Sequence, residues 1–154
     1  MRRLSTGILL LALLFSLVLP AGAASGAQTA YAQQVQITVD GVPVRFHSFV
    51  LRDSDGGETS YLQLRDVADT LSGTRSEEAQ FNVGWDSRDK VITLTTGAAY
   101  TDRTGSEMTA PFSGDQTCRP GTSAVKLDGE PVRLDTITLT DVQGNGYTYF
   151  KLRD

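Results

Sequence analysis

The stretch "DGVPVRFHSFVLRDSDGGETSYLQLRD" (residues 40–66) returns without a gap as "DGEPVRLDTITLTDVQGNGYTYFKLRD" (residues 128–154). The offset is 88 residues, and 12 of the 27 positions are identical. One structural unit is therefore written twice, and any fold for this chain must accommodate two copies of it. Just upstream, "VQITVDGVPVRF" (35–46) alternates apolar and polar residues on both sides of Asp40-Gly41, a dipeptide suited to the positive φ of a tight turn. That pattern predicts a hairpin.

The first copy runs on beyond its "LRD". Leu64, Val67, Ala68 and Leu71 fall at i, i+3, i+4 and i+7, one apolar stripe on a short helix that Gly73 is placed to stop. "QFNVGWD" and "KVITLTT" then alternate around the polar turn "DSRDK", a second hairpin. The expected class is α+β: an antiparallel β-sheet curled around one short helix, with additional strands from the partial second repeat.

Residues 1–32 read as a secretory signal peptide. Arg2 and Arg3 precede the apolar run "GILLLALLFSLVLP", and small residues follow, with cleavage expected after Ala23 or Ala32. The run is shorter than the roughly 20 residues a spanning helix needs. No second apolar stretch long enough to cross a bilayer follows, so the expected location is secreted or cell surface. Without the two leader arginines the chain has 12 basic against 18 acidic residues, which disfavours nucleic acid and anionic membranes as partners. The remaining division is a complete module at 33–101, a linker or long loop at 102–123, rich in Thr, Ser, Gly and Pro, and a partial module of strands at 124–154. Cys118, the sole cysteine, falls in that loop, so no internal disulfide can form; it is either a chance thiol or a link to another chain.

"YLQLRDVADTL" followed by "FNVGWDSRDKVITLTTGAAYT" resembles the copper amine oxidase N-terminal domain family, also called stalk domains, repeated modules of exported proteins in Gram-positive bacteria. The resemblance covers residues 35–101 as one module and 125–154 as the opening of a second. It rests on "LRD" before the helix with "VGWD" and "VITLTTG" after it: Leu64, Arg65, Asp66, Gly84, Trp85 and Asp86. It implies the stalk fold and a second module that stops early. It implies no oxidase activity, because the catalytic domain of copper amine oxidases, with its several histidines, has no counterpart here. His47 is the only histidine, and copper is not an expected cofactor.

Other candidates are weighed on their chemistry. Asp53, Asp55 and Glu58 in "DSDGGE" have the oxygen ligands of a calcium site, but the second copy reads "DVQGNG" and loses two of the three charges, which favours a turn. Arg65 and Asp66 at the helix start are expected to serve the helix dipole rather than a ligand. Phe81, Val83 and Trp85 share one face by period-two alternation, expected to be the core; the alternative is an exposed Trp85 that, with Tyr61 or Tyr100, binds a glycan or peptide. Neither a Gly-flanked serine elbow nor a phosphate loop is present. The expectation is a non-catalytic exported module acting as a spacer, adhesion or binding element at the cell envelope, with cell-envelope material or another exported protein as partner; the alternative is an accessory glycan- or peptide-binding domain of an envelope enzyme. The partial copy is expected to pack onto the first, with a homo-oligomer paired through it as the alternative.

Overall fold

The computed structural model describes residues 26–73 and 76–152. Most of the proposed leader, and Arg153 and Asp154 of the second "LRD", lie outside the described residues. The elements are β1 (Gln28–Val39), β2 (Val42–Arg52), β3 (Glu58–Leu62), α1 (Leu64–Ser72), a 3-10 turn (Glu77–Ala79), β4 (Phe81–Asp86), β5 (Val91–Thr96), β6 (Gln116–Pro120), β7 (Ala124–Leu127), β8 (Glu130–Val132), β9 (Thr136–Thr140) and β10 (Gly146–Lys151). The class is α+β, mostly antiparallel sheet with one short helix. The strands divide between a closed six-stranded barrel, ordered β1-β2-β3-β10-β9-β6, and a four-stranded sheet, ordered β4-β5-β7-β8, in which only β5 and β7 run parallel.

The repeat is a structural one, and its turns show why. Asp40 and Gly41 have φ of 49° and 81°, Asp128 and Gly129 have 49° and 89°, so both copies make the turn that twists with its flanking strands. Further along, Asp53 N donates to Gly57 O and Asp141 N to Asn145 O, with Gly56 and Gly144 both at φ near 90°. Aspartate and glycine survive in both copies because these backbones need them.

The two copies close the barrel on each other about a pseudo-twofold axis. Thr29 of β1 faces Thr117 of β6, and Leu62 of β3 faces Phe150 of β10; each pair is separated by the same 88 residues as the sequence repeat. Six strands thus arise from two sets of three, and each set supplies the edges the other lacks, which removes open edges from the barrel. Ala30 and Cys118, also 88 apart, are both fully buried in its interior, with Phe49, Tyr61, Ile137, Leu139 and Tyr149. Phe49 meets Tyr149 edge-on at 5.1 Å between ring centres.

The copies differ in one respect that shapes everything else. In the first, β1 and β2 are continuous, paired from Tyr31↔Val50 to Val39↔Val42. In the second, the same hairpin breaks into a base, β6–β9, and a tip, β7–β8, which joins the other sheet. Pro120 cannot donate to a ladder, and Gly121 follows with its Cα against Thr136, where a β-carbon would overlap the Thr136 hydroxyl. The tip folds over and buries Val125 in a second core with Ala68 of α1, Val83, Ile92, Leu94, Tyr100 and Phe150. Alternation on β10 sends Tyr149 into the barrel and Phe150 into this second core.

Several expectations change. The segment 102–123 is no free linker: it contains β6 and carries Phe112, which packs edge-on against Phe49 and Tyr147. It is tied to α1 by Met108 N donating to Asp66 Oδ1 at 2.9 Å and by an Arg103–Asp69 ion pair. Cys118 is 1 % exposed rather than in a polar loop, because the alternation of β6 points it inward. Residues 28–32, assigned to the leader, are the first part of β1 and pair with β6 and β2. A boundary after Ala32 would remove the buried Ala30.

Candidate functional site

A cleft of about 570 Å³ opens where the second sheet leans away from the barrel wall. Its floor comes from the outward face of the barrel, with Thr138 on β9 directly opposite Thr148 on β10, and Phe150 beside them. Gln63, Leu64 and Arg65 at the start of α1 form one side, and Val83, Gly84, Trp85 and Ile92 of β4 and β5 form the other. Ser106 and the kink residues Thr122 and Ser123 complete it. The break in the second hairpin therefore builds the site as well as the fold.

Trp85 departs from its expected burial while lying on the expected face of β4. It is paired with Ile92 as Val83 is with Leu94, and opposite residues on an antiparallel pair share a face, so all four point to the same side. Val83, Ile92 and Leu94 are buried there, but Trp85 is 50 % exposed. The second core ends before Trp85, at the last residues of β4, and the indole overhangs the cleft. Gly84 beside it has no room for a side chain, since a β-carbon would lie 2.8 Å from Thr93 Oγ1.

The other two aromatic candidates lie elsewhere. Tyr61 belongs to the barrel interior, where burial pushes its hydroxyl pKa up. Tyr100 is buried in the second core, and its hydroxyl lies 2.9 Å from both Glu107 Oε1 and Asp102 O. Burial, then the bond to Glu107, raise it to about 12. Neither reaches the cleft. Tyr147 borders the cleft through its place on β10, but its ring packs with Tyr149 on the barrel core and meets Phe112 edge-on at 5.1 Å. The cleft residues that the sequence does not single out are Thr138 and Thr148, which alternate with the inward Leu139, Tyr147 and Tyr149.

The "LRD" residues separate by role. Arg65 is exposed at the cleft rim, and no hydrogen bond or ion pair among the described residues engages its guanidinium. Asp66 is 2 % exposed, caps nothing at the helix start, and accepts the Met108 N–H instead. Burial raises its pKa, against the opposing Met108 bond. Leu64 packs on the second core, and Asp86 Oδ1 accepts N–H bonds from Arg88 and Asp89 in the β4–β5 turn.

The remaining polar candidates serve local structure. Asp55 Oδ1 accepts Gly57 N–H, while Glu58 pairs with Arg52 at 3.0 Å across the β2–β3 hairpin, so the carboxylates of Asp53, Asp55 and Glu58 do not converge. His47 sits half-buried on β2 opposite Gln34. Among the described residues no group of three or more His, Cys, Asp or Glu side chains is arranged to hold a metal ion. No protein-family model, curated protein or solved structure matches the chain.

Proposed function

We propose that this chain is a non-catalytic, stalk-like binding module of the cell envelope, exported through its N-terminal leader, that takes up a glycan segment in the cleft beside Trp85. The observation that carries the reading is the half-exposed indole overhanging a cavity rich in hydroxyls. A sugar ring presents an apolar C–H face that stacks on an aromatic plane, and hydroxyls around its rim that bond to Thr and Ser side chains. Thr122, Ser123, Thr138 and Thr148 supply such partners at the cleft, and Arg65 adds one positive charge suited to an acidic substituent. A volume of this size suits a ligand of a few rings. The described lining holds no carboxylate, imidazole or thiol, which favours retention of a ligand over turnover.

Trp85 is the only tryptophan, so its emission reports on this cleft alone. Titration with soluble peptidoglycan fragments is expected to shift that emission and saturate. Trp85→Ala is expected to abolish retention on isolated cell walls while leaving the melting temperature nearly unchanged, since the ring is half in solvent. A wall-bound fraction that Trp85→Ala does not reduce would reject the reading. A response to stem peptides stripped of sugar would move the ligand class to peptide.

A further inference from the structure

The pseudo-twofold axis relates two hairpin tips that meet different fates. In the second copy, the tip β7–β8 is covered by α1 and the β4–β5 hairpin, with β5 pairing in parallel from Val91↔Ala124 to Leu94↔Leu127. The Asp128 turn clamps the end of that strand: Asp128 N donates to Leu94 O, Thr96 N donates to Asp128 Oδ1 at 2.9 Å, and Thr96 Oγ1 to Oδ2 at 2.8 Å. These bonds hold the Asp128 carboxyl below the usual carboxylate range.

In the first copy the same tip is a two-stranded ribbon. β6 pairs with β1 only at Gln28–Ala30, and β3 pairs with β2 only from Ser48 onward, so residues 31–47 have no third strand among the described residues. One face of the ribbon is polar. The other carries the cross-strand pairs Val35↔Phe46, Ile37↔Val44 and Val39↔Val42. Phe46 at its root is buried, Val35, Ile37, Val39 and Val44 are half-buried, and Val42 at the tip is 61 % exposed; this face belongs to neither described core. Asp40 has the backbone of Asp128, φ 49° in both, yet no described residue bonds its carboxylate.

We propose that this ribbon face is a docking site for a helix-plus-hairpin unit built like α1–β4–β5, whose last strand adds in parallel to Gln36–Val39 and is clamped by Asp40. Subtracting the repeat offset from the β5–β7 register sets that pairing, with Ile37 in the place of Val125 and Asp40 in the place of Asp128. The surface belongs to the first copy, not to the second, whose tip is already covered. It recognises its partner by main-chain pairing at β1, apolar contact across the ribbon, and a Thr hydroxyl and N–H at the carboxylate.

The test extends the full chain beyond Asp154 with a second copy of residues 67–101, continuing "LRD" as the first copy does. Hydrogen exchange of the amides at 36–40 is expected to slow by about tenfold or more relative to the parent chain. In the extended chain, Asp40→Gly, which keeps the positive-φ turn, and Ile37→Lys are each expected to remove that protection. In the parent, Asp40→Gly is expected to leave the melting temperature unchanged, which separates docking from folding. Unchanged exchange at 36–40 overturns the proposal, as does protection that survives both substitutions. Concentration-dependent dimerisation of the parent, protecting these same amides, also overturns it, by showing that a second copy covers the face.

Discussion

Gly121 sits where the two copies part. Its missing β-carbon lets the chain pass Thr136, donating its N–H to the Thr136 carbonyl at 2.8 Å, and the hairpin then folds over to make the second core and the cleft. Gly121→Ala forces Thr136 or the backbone aside and is expected to cost about 1–3 kcal/mol, read as a lower urea midpoint. An unchanged midpoint would mean that the kink does not depend on this contact. Glu107 contributes to acid behaviour, as do Asp128 and Asp141, whose carboxyls are also held low. Burial pushes the Glu107 pKa up, but bonds from the Thr104 N–H, the Tyr100 hydroxyl and the Thr104 hydroxyl outweigh burial and hold it at about 2. A folded value below the ordinary 4.5 means stability that is present above that value and lost as pH falls from there toward 2. Asp66 has the opposite sign, since burial raises its pKa. Glu107→Gln is therefore expected to flatten the drop in melting temperature between pH 4.5 and 2.5, and an equally steep drop would count against the assignment.

At the scale of elements, β1 bears on where the proposed leader would end. Its first residues close the barrel against β6, placing Gln28 opposite Cys118 and burying Ala30. Of the two expected cleavage positions, only the one after Ala23 leaves this strand whole. On the proposed reading of export, mass spectrometry of the processed chain is expected to find Ala24 at its N-terminus; a start at Gln33 would contradict the β1–β6 seam. A chain made to begin at Gln33 is expected to expose Cys118 to a thiol reagent that leaves the longer chain unmodified. The two ribbons make the complementary point. The same alternating pattern yields a strand pair inside a sheet where β5 adds beside it, and a two-stranded ribbon where no described strand does.

Over the whole molecule, the barrel closes only when both copies are present. Each copy contributes three strands, and Phe49, Tyr61 and Ala30 of the first pack against Cys118, Ile137, Leu139 and Tyr149 of the second. Calorimetry is expected to show one cooperative transition for residues 26–154 and none for residues 26–101, whose strands β1 and β3 would be left as open edges. Two resolved transitions would show that the copies fold as independent domains. The cleft shares this dependence, because Arg65 and Trp85 come from one copy and Thr138 and Thr148 from the other. On the proposed reading, ligand binding and the integrity of the barrel are expected to be lost together.

The sequence by itself determined the repeat, its offset, the Asp-Gly turns, the helix with its apolar stripe and the β4–β5 hairpin, because each rests on neighbouring residues and a local period. It also placed Trp85 on the correct face. Only the tertiary structure decided that this face runs out of core before Trp85, that Cys118 is the counterpart of Ala30, and that the segment after Thr101 holds a barrel strand. Upstream of Asp40 the copies share little beyond Gln28-Thr29 and Gln116-Thr117, so pairing partners there are chosen by distant strands. A strand's pattern states which side is apolar. What covers that side is settled by the rest of the chain, and here two equivalent hairpins received different answers.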